Sequence, residues 1–270
     1  MANSHVVVRQ GAELALPDSR RLRFEDLVLA LSAGVRDFAR TPSHLIVLGL
    51  LYPIVVALLA VWTSGNNAWP LIYPLITGFA FLGPLAVLPL YEMSRRLSRG
   101  EEPSWSAAIE VFKTRSLASV MLVGLVLLVL FTAWLTTAQA LYISAFGIAA
   151  PHSLNAFLNQ LFFTTEGREL IVYGNLIGLG FAVTVLAVSF VTLPLLLDQD
   201  VGAAVAVLTS IRIVTRNPLV TLTWGMIVAV GLLLGAALLL VGLAVVIPIL
   251  GHATWHLYRL AMAPEAQSRS

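Results

Sequence analysis

LASVMLVGLVLLVLFTAWLTTAQALY, residues 117–142, is the stretch on which the fold turns. It carries no Asp, Glu, Lys, Arg or His. A helix rises about 1.5 Å per residue, so about 20 apolar residues cross the hydrocarbon core of a bilayer. A helix also satisfies its own backbone N–H and C=O groups, which hydrocarbon cannot do. The stretch therefore predicts a transmembrane helix. Working outward, residues 44–63, 71–91 and 170–197 have the same character. The run from 219 to 258 is too long for one span and must fold back; GLLLGAA, residues 231–237, reads as the turn. The expectation is an all-α polytopic membrane protein with six transmembrane helices arranged as three hairpins, five or seven helices being the alternatives.

Composition agrees. The chain has 270 residues, 59% hydrophobic and 11% charged, where a soluble domain is about a quarter charged. Net charge is +2 and comes from arginine, Lys113 being the one lysine. The arginines flank apolar segments instead of forming a patch of their own, which argues against nucleic-acid binding. There is no cysteine, so disulfides, thiolate nucleophiles, iron–sulfur clusters and Cys-based zinc sites are excluded. Residues 1–23 are polar, carry Arg9, Arg20, Arg21 and Arg23, and do not read as a removable signal peptide.

Charge orients the helices. Arg36 and Arg40 precede the first span. Arg95, Arg96, Arg99, Lys113 and Arg115 lie between the second and third, Arg212 and Arg216 between the fourth and fifth, and Arg259 follows the sixth. The alternate loops hold only Arg168 of the 16 Lys and Arg. The positive-inside rule then places both termini in the cytoplasm, here of a bacterial inner membrane.

Each hairpin is preceded by an amphipathic stretch read as a cytoplasmic interfacial helix. Phe24, Leu27, Leu31, Val35 and Phe38 share a helical face; so do Trp105, Ile109 and Phe112; Asp200 to Val214 is a weaker third case. Ser104 and Asp200 are the expected N-caps. Leu154, Phe157, Leu158, Leu161 and Phe162 predict a further interfacial helix on the outer side. Three features recur in order. Arg40 (ARTPSH), Arg115 (KTRSLA) and Arg216 (TRNPLV) close the interfacial helices. Pro89 (VLPLYE), Pro194 (TLPLLLD) and Pro248 (VIPILGH) sit near the ends of the returning helices, each followed by a polar residue, Glu92, Asp198 or His252. This reads as one domain, residues 24–260, with repeats at 24–92, 103–198 and 200–258 between flexible tails 1–23 and 261–270. Prolines and charges also gather at membrane boundaries without any repeat.

His252 and His256 are four apart and share a helical face. They read as a partial metal site, or as part of the aromatic and basic belt with Trp255 and Tyr258. His44, Glu92 and Asp198 are expected at the same depth, so His44, Glu92, Asp198, His252 and His256 form a candidate cytoplasmic-leaflet cluster. Snorkelling and capping are the structural alternative. Gln139 and Asn175, with Thr132, Thr136, Thr184 and Ser189, either line a polar path or make hydrogen bonds within the bundle. Gly174/Gly178 and Gly231/Gly235 are GxxxG pairs suited to close helix contact. Pro53, Pro74, Pro84, Pro89, Pro194 and Pro248 can kink their helices. There is no Walker loop, GxSxG, HExxH or EF-hand pattern, and the second to fifth spans hold no histidine for a mid-membrane haem. No catalytic residue and no cofactor is expected.

The stretches FLGPLAVLPLYEMSRR, LPLLLDQDVGAAVAVLTSIRIVTRNP and GHATWHLYR resemble a family of bacterial predicted integral membrane proteins of unknown function. The resemblance runs from Arg23 to Arg259 and implies a membrane fold but no assigned activity. The interfacial-helix-plus-hairpin unit is also distantly similar to membrane domains attached to some glycerophosphodiester phosphodiesterases; no phosphodiesterase domain is present to carry that activity.

The leading functional expectation is a non-enzymatic accessory, assembly or membrane-organising factor, with lipid and a membrane-protein partner or a second copy as its contacts. It predicts a tightly packed centre and an exposed apolar side. A small-solute or lipid transporter or channel is the alternative, and predicts that Gln139 and Asn175 face one cavity. A cofactor-binding subunit of a respiratory complex is the second, and predicts histidines converging on one point.

Overall fold

Prolines decide how the long apolar runs are divided. The computed structural model describes residues 16–41, 55, 58, 61–63, 65, 68–102, 104, 116–149, 151–238 and 242–263. Among these, helices are the regular structure and no strand occurs. The first helix, α1, is Phe24–Arg40. A 3₁₀ turn at Trp69–Leu71 leads into α2 (Ile72–Phe79), α3 (Gly83–Ala86) and α4 (Leu88–Ser98). Pro84 and Pro89 sit in the first turns of α3 and α4, where a missing N–H costs nothing. Then follow α5 (Leu117–Phe146), α6 (Leu154–Phe163), α7 (Thr165–Ser189), α8 (Thr192–Asp198), α9 (Ala203–Arg216), α10 (Pro218–Ala237) and α11 (Leu243–Ala261).

Among the described residues, four helical runs are long and apolar enough to cross a membrane: Trp69–Ser98, Leu117–Phe146, Thr165–Asp198 and Pro218–Ala237. The run from 219 to 258 does form two helices, but the turn is not at 231–237. Gly231 to Ala237 stay helical, α10 ending at Ala237 and α11 beginning at Leu243. The glycines serve contact instead. A Cβ on Gly231 would stand 3.2 Å from Val246, and one on Gly242 only 2.8 Å from the Gly235 carbonyl oxygen. Small residues let α11 pack back along α10. The predicted span at 44–63 (apart from 55, 58 and 61–63), and with it His44 and Pro53, lies outside the described residues. So do Trp105, Ile109, Phe112, Lys113 and Arg115.

The break before Pro194 is sealed from outside the helix. Between α7 and α8, Ala187 O and Val191 N no longer bond to each other. The Ser210 hydroxyl of α9 bridges them, donating to Ala187 O at 2.7 Å and accepting from Val191 N at 3.3 Å. Asp200 does not cap α9. Gly202, at φ +78°, turns the chain into the helix with no side-chain cap.

The core gathers at one end of the helices. Leu88, Leu90, Tyr91, Leu193, Leu195, Leu196, Trp255, Leu257 and Tyr258 are buried there, and α4, α8 and α11 pack on one another. Along the apolar runs, bulky side chains such as Met121, Leu125, Val172, Leu176, Leu219 and Leu233 point outward. Water would penalise that surface, and acyl chains match it.

The helix α1 packs extensively on α11, with Leu27, Ala30, Gly34 and Asp37 inward. A Cβ on Gly34 would come within 2.6 Å of Ile249 O and 2.7 Å of Ala253 N, so the two backbones nearly touch. The inward face is not the large apolar stripe: of that set only Leu27 is buried, while Phe24 and Val35 are exposed. Small residues pack a helix closer than large ones do, and here they outcompete the large stripe.

Candidate functional site

The core end of the molecule is held by three polar knots, each joining elements far apart in sequence. The first joins α1, α4 and α11. Asp37 Oδ2 accepts from Ser94 Oγ at 2.7 Å and from His256 Nε2 at 2.7 Å, and Ser94 Oγ lies 2.8 Å from His252 Nδ1. A carboxylate only accepts, so the Ser94 hydrogen points to Asp37 and His252 Nδ1 must carry the hydrogen that reaches Ser94. His252 and Ser94 are fully buried, and His256 is partly exposed. Burial pushes the Asp37 carboxyl up, but the bonds from His256 and Ser94 and the nearby imidazoles outweigh it and hold it below the usual carboxylate range.

In the second knot the buried Glu92 pairs with Arg95 at 2.7 Å and Arg96 at 2.9 Å, and Arg95 also donates to Leu197 O at the end of α8. Asp198 accepts from Tyr258 at 2.9 Å and faces Arg99 at 3.5 Å, linking α8 to α11 and α4. The third knot ties the approach to α1. Arg20 forms a two-pronged pair with Asp26 and donates to Leu260 O at 2.6 Å, and Leu22 N donates to Asn217 Oδ1 at 2.9 Å.

The five-residue cluster is thus divided. His252 and His256 meet through Ser94 and Asp37; Glu92 belongs to the arginine knot; Asp198 is held by Tyr258 and Arg99; His44 lies outside the described residues. The belt reading of His252, Trp255 and Tyr258 is corrected, because all three are wholly buried, whereas a belt faces headgroups. Among the described residues no group of three or more His, Asp or Glu is arranged to hold a metal.

Gln139 and Asn175 do not share a cavity. Gln139 lines a groove of about 350 Å³ with Leu71, Leu135, Thr136, Ala140 and Ile143. Asn175 instead accepts from Tyr73 Oη at 2.7 Å and donates to Ile171 O. Thr132, Thr136, Thr184 and Ser189 donate to carbonyls one turn back in their own helices. Of the GxxxG pairs, Gly178 makes room for the Trp134 ring, while Gly174 faces open space.

Residues 72–198, from α2 through α8, match a family described as "Predicted integral membrane protein (DUF2189)". The chain is an integral membrane protein. No curated protein and no solved structure matches it. The family match spans Glu92, Ser94 and Asp198 and stops short of α11, so it covers one side of each of the first two knots.

Sequence reasoning missed Asp37, Ser94, Arg20 and Asn217. Asp37 lies off the predicted apolar stripe of α1. Its signal was the small pair Ala30 and Gly34, one turn apart and one residue out of phase with the large apolar stripe. Nothing local marks Ser94 or Asn217; each matters only for what another element brings to it.

Proposed function

We propose that this protein is a non-enzymatic accessory factor of a bacterial inner membrane, built from six spans in three hairpins with both termini cytoplasmic. The observation that carries the reading is the direction of the hydrogen bonds in the first knot. A nucleophilic serine gives its proton to an imidazole. Here Ser94 gives it to Asp37 and receives one from His252, so the serine is a structural link. The arginine knot has the same character: Glu92 holds Arg95 and Arg96 in place, with Glu92 almost wholly enclosed.

A core packed at one end of the helices and an outward apolar surface further support a protein that acts through what it touches. Transport draws no support from Gln139 and Asn175, which point to separate places. Purification of the tagged protein from its native membranes in mild detergent, with quantitative mass spectrometry, tests the reading. A stoichiometric partner is the expected result. A solitary, monodisperse protein overturns it and moves the assignment to transport or lipid handling.

A further inference from the structure

The helix α1 has three faces, and among the described residues one of them carries its buried contacts, with Leu31 beside it partly packed on the core. Leu27, Ala30, Gly34 and Asp37 pack on the bundle. One residue later at each position come Val28, Leu31, Val35 and Phe38, which with Phe24 make an apolar stripe rotated by roughly 100°. Phe24 is 55% exposed, Val28 67% and Val35 49%. Glu25, Leu29, Ser32 and Arg36 follow on the next face, all exposed, so that face is mixed but carries the charges. The charges divide the same way. Of the inward acids, Asp26 is paired with Arg20, and Asp37 accepts hydrogen bonds from Ser94 and His256. Outward over residues 16–41 stand Arg21, Arg23, Arg36 and Arg40 against Asp18 and Glu25, a surplus of two positive charges.

We propose that α1 is an anionic-lipid contact: its apolar stripe enters the acyl region of the cytoplasmic leaflet, and Arg36 and Arg40 engage phosphate headgroups beside it. This rests on the cytoplasmic placement argued above. The three-face order is what an interfacial helix requires, since a helix fixed by one side to a bundle can offer lipid and water only its other two. A surplus of arginine beside the stripe matches the negative surface of that leaflet. The apolar surface of the long helices extends the same contact into the bilayer.

The chain has no cysteine, so single-cysteine spin labels report cleanly. Full-length Val28→Cys, Val35→Cys and Glu25→Cys proteins are placed in vesicles of phosphatidylcholine and phosphatidylglycerol. Collisions with oxygen, which concentrates in lipid, are compared with those of a water-soluble nickel chelate. Labels at 28 and 35 meet oxygen preferentially and the label at 25 meets nickel. In parallel, Arg36→Gln and Arg40→Gln each weaken phosphatidylglycerol retention by about fivefold. Nickel access at 28 and 35 equal to that at 25 overturns the proposal. So does shielding from both reagents, which would show a second copy, residues 1–15 or another protein on the stripe. Unchanged retention in both arginine variants overturns the choice of anionic lipid. None of these readings depends on a protein partner, so failure to capture one leaves them standing.

Discussion

Asp37 accepts from Ser94 and His256 through one oxygen, inside an enclosure that would otherwise disfavour its charge. Asp37→Asn replaces an ionic acceptor with a neutral amide and leaves two donors poorly matched. The expected cost is about 2 kcal/mol, the loss of hydrogen bonds to a charged group, read as a lower midpoint in thermal unfolding in detergent. The acid response follows from the direction of the shift. A carboxyl held below its ordinary value binds protons more weakly folded than unfolded. Its stabilisation is complete above the ordinary carboxylate range and is lost as pH falls through the depressed folded value. Wild type therefore keeps α1 docked in mildly acidic solution and loses that contribution only at lower pH, whereas Asp37→Asn lacks this step; unfolding midpoints measured against pH separate the two.

At the scale of elements, two contacts depend on atoms with no room to spare. The Gly34 crossing of α1 on α11 leaves no space for a side chain against Ile249 O. Gly34→Leu should release α1 while the long helices remain, so amide exchange over residues 24–40 becomes at least several-fold faster and that over 117–146 does not change. The kink between α7 and α8 depends on one hydroxyl. Ser210→Ala leaves Ala187 O and Val191 N unsatisfied in a buried place, a loss of roughly 1–3 kcal/mol visible in thermal unfolding. Ser210→Thr keeps the hydroxyl and recovers part of it.

For the whole molecule, the distribution of burial assigns roles. The core lies where α4, α8 and α11 meet, and the rest of the long helices present apolar side chains outward. A bilayer supplies no hydrophobic drive between helices, so polar knots and small-residue contacts take a larger share of the assembly. The six-span plan makes a direct prediction. An impermeant maleimide reaches Ala149→Cys and Leu238→Cys from outside intact cells, and Glu102→Cys and Ala263→Cys only in inverted vesicles. Labelling of Leu238→Cys from the cytoplasmic side would sink that plan.

The sequence by itself determined the solvent and the element type. Runs such as 117–142 leave helices in lipid as the one way to satisfy their backbones, and α1, α6 and the pairing of α10 with α11 follow from periodicity and length. It also marked His252, His256, Glu92 and Asp198 as residues that matter, because ionisable groups beside apolar runs are costly. Only the tertiary structure decided which partners they take. The end of α10 at Ala237, the inward face of α1 and the three knots are set by contacts between residues up to 240 positions apart. A local pattern records the water–lipid preference of a segment, and both faces of α1 satisfy that preference. The choice between them comes from how closely Ala30 and Gly34 let two backbones approach, which depends on the shape of α11 and is written nowhere in α1 itself.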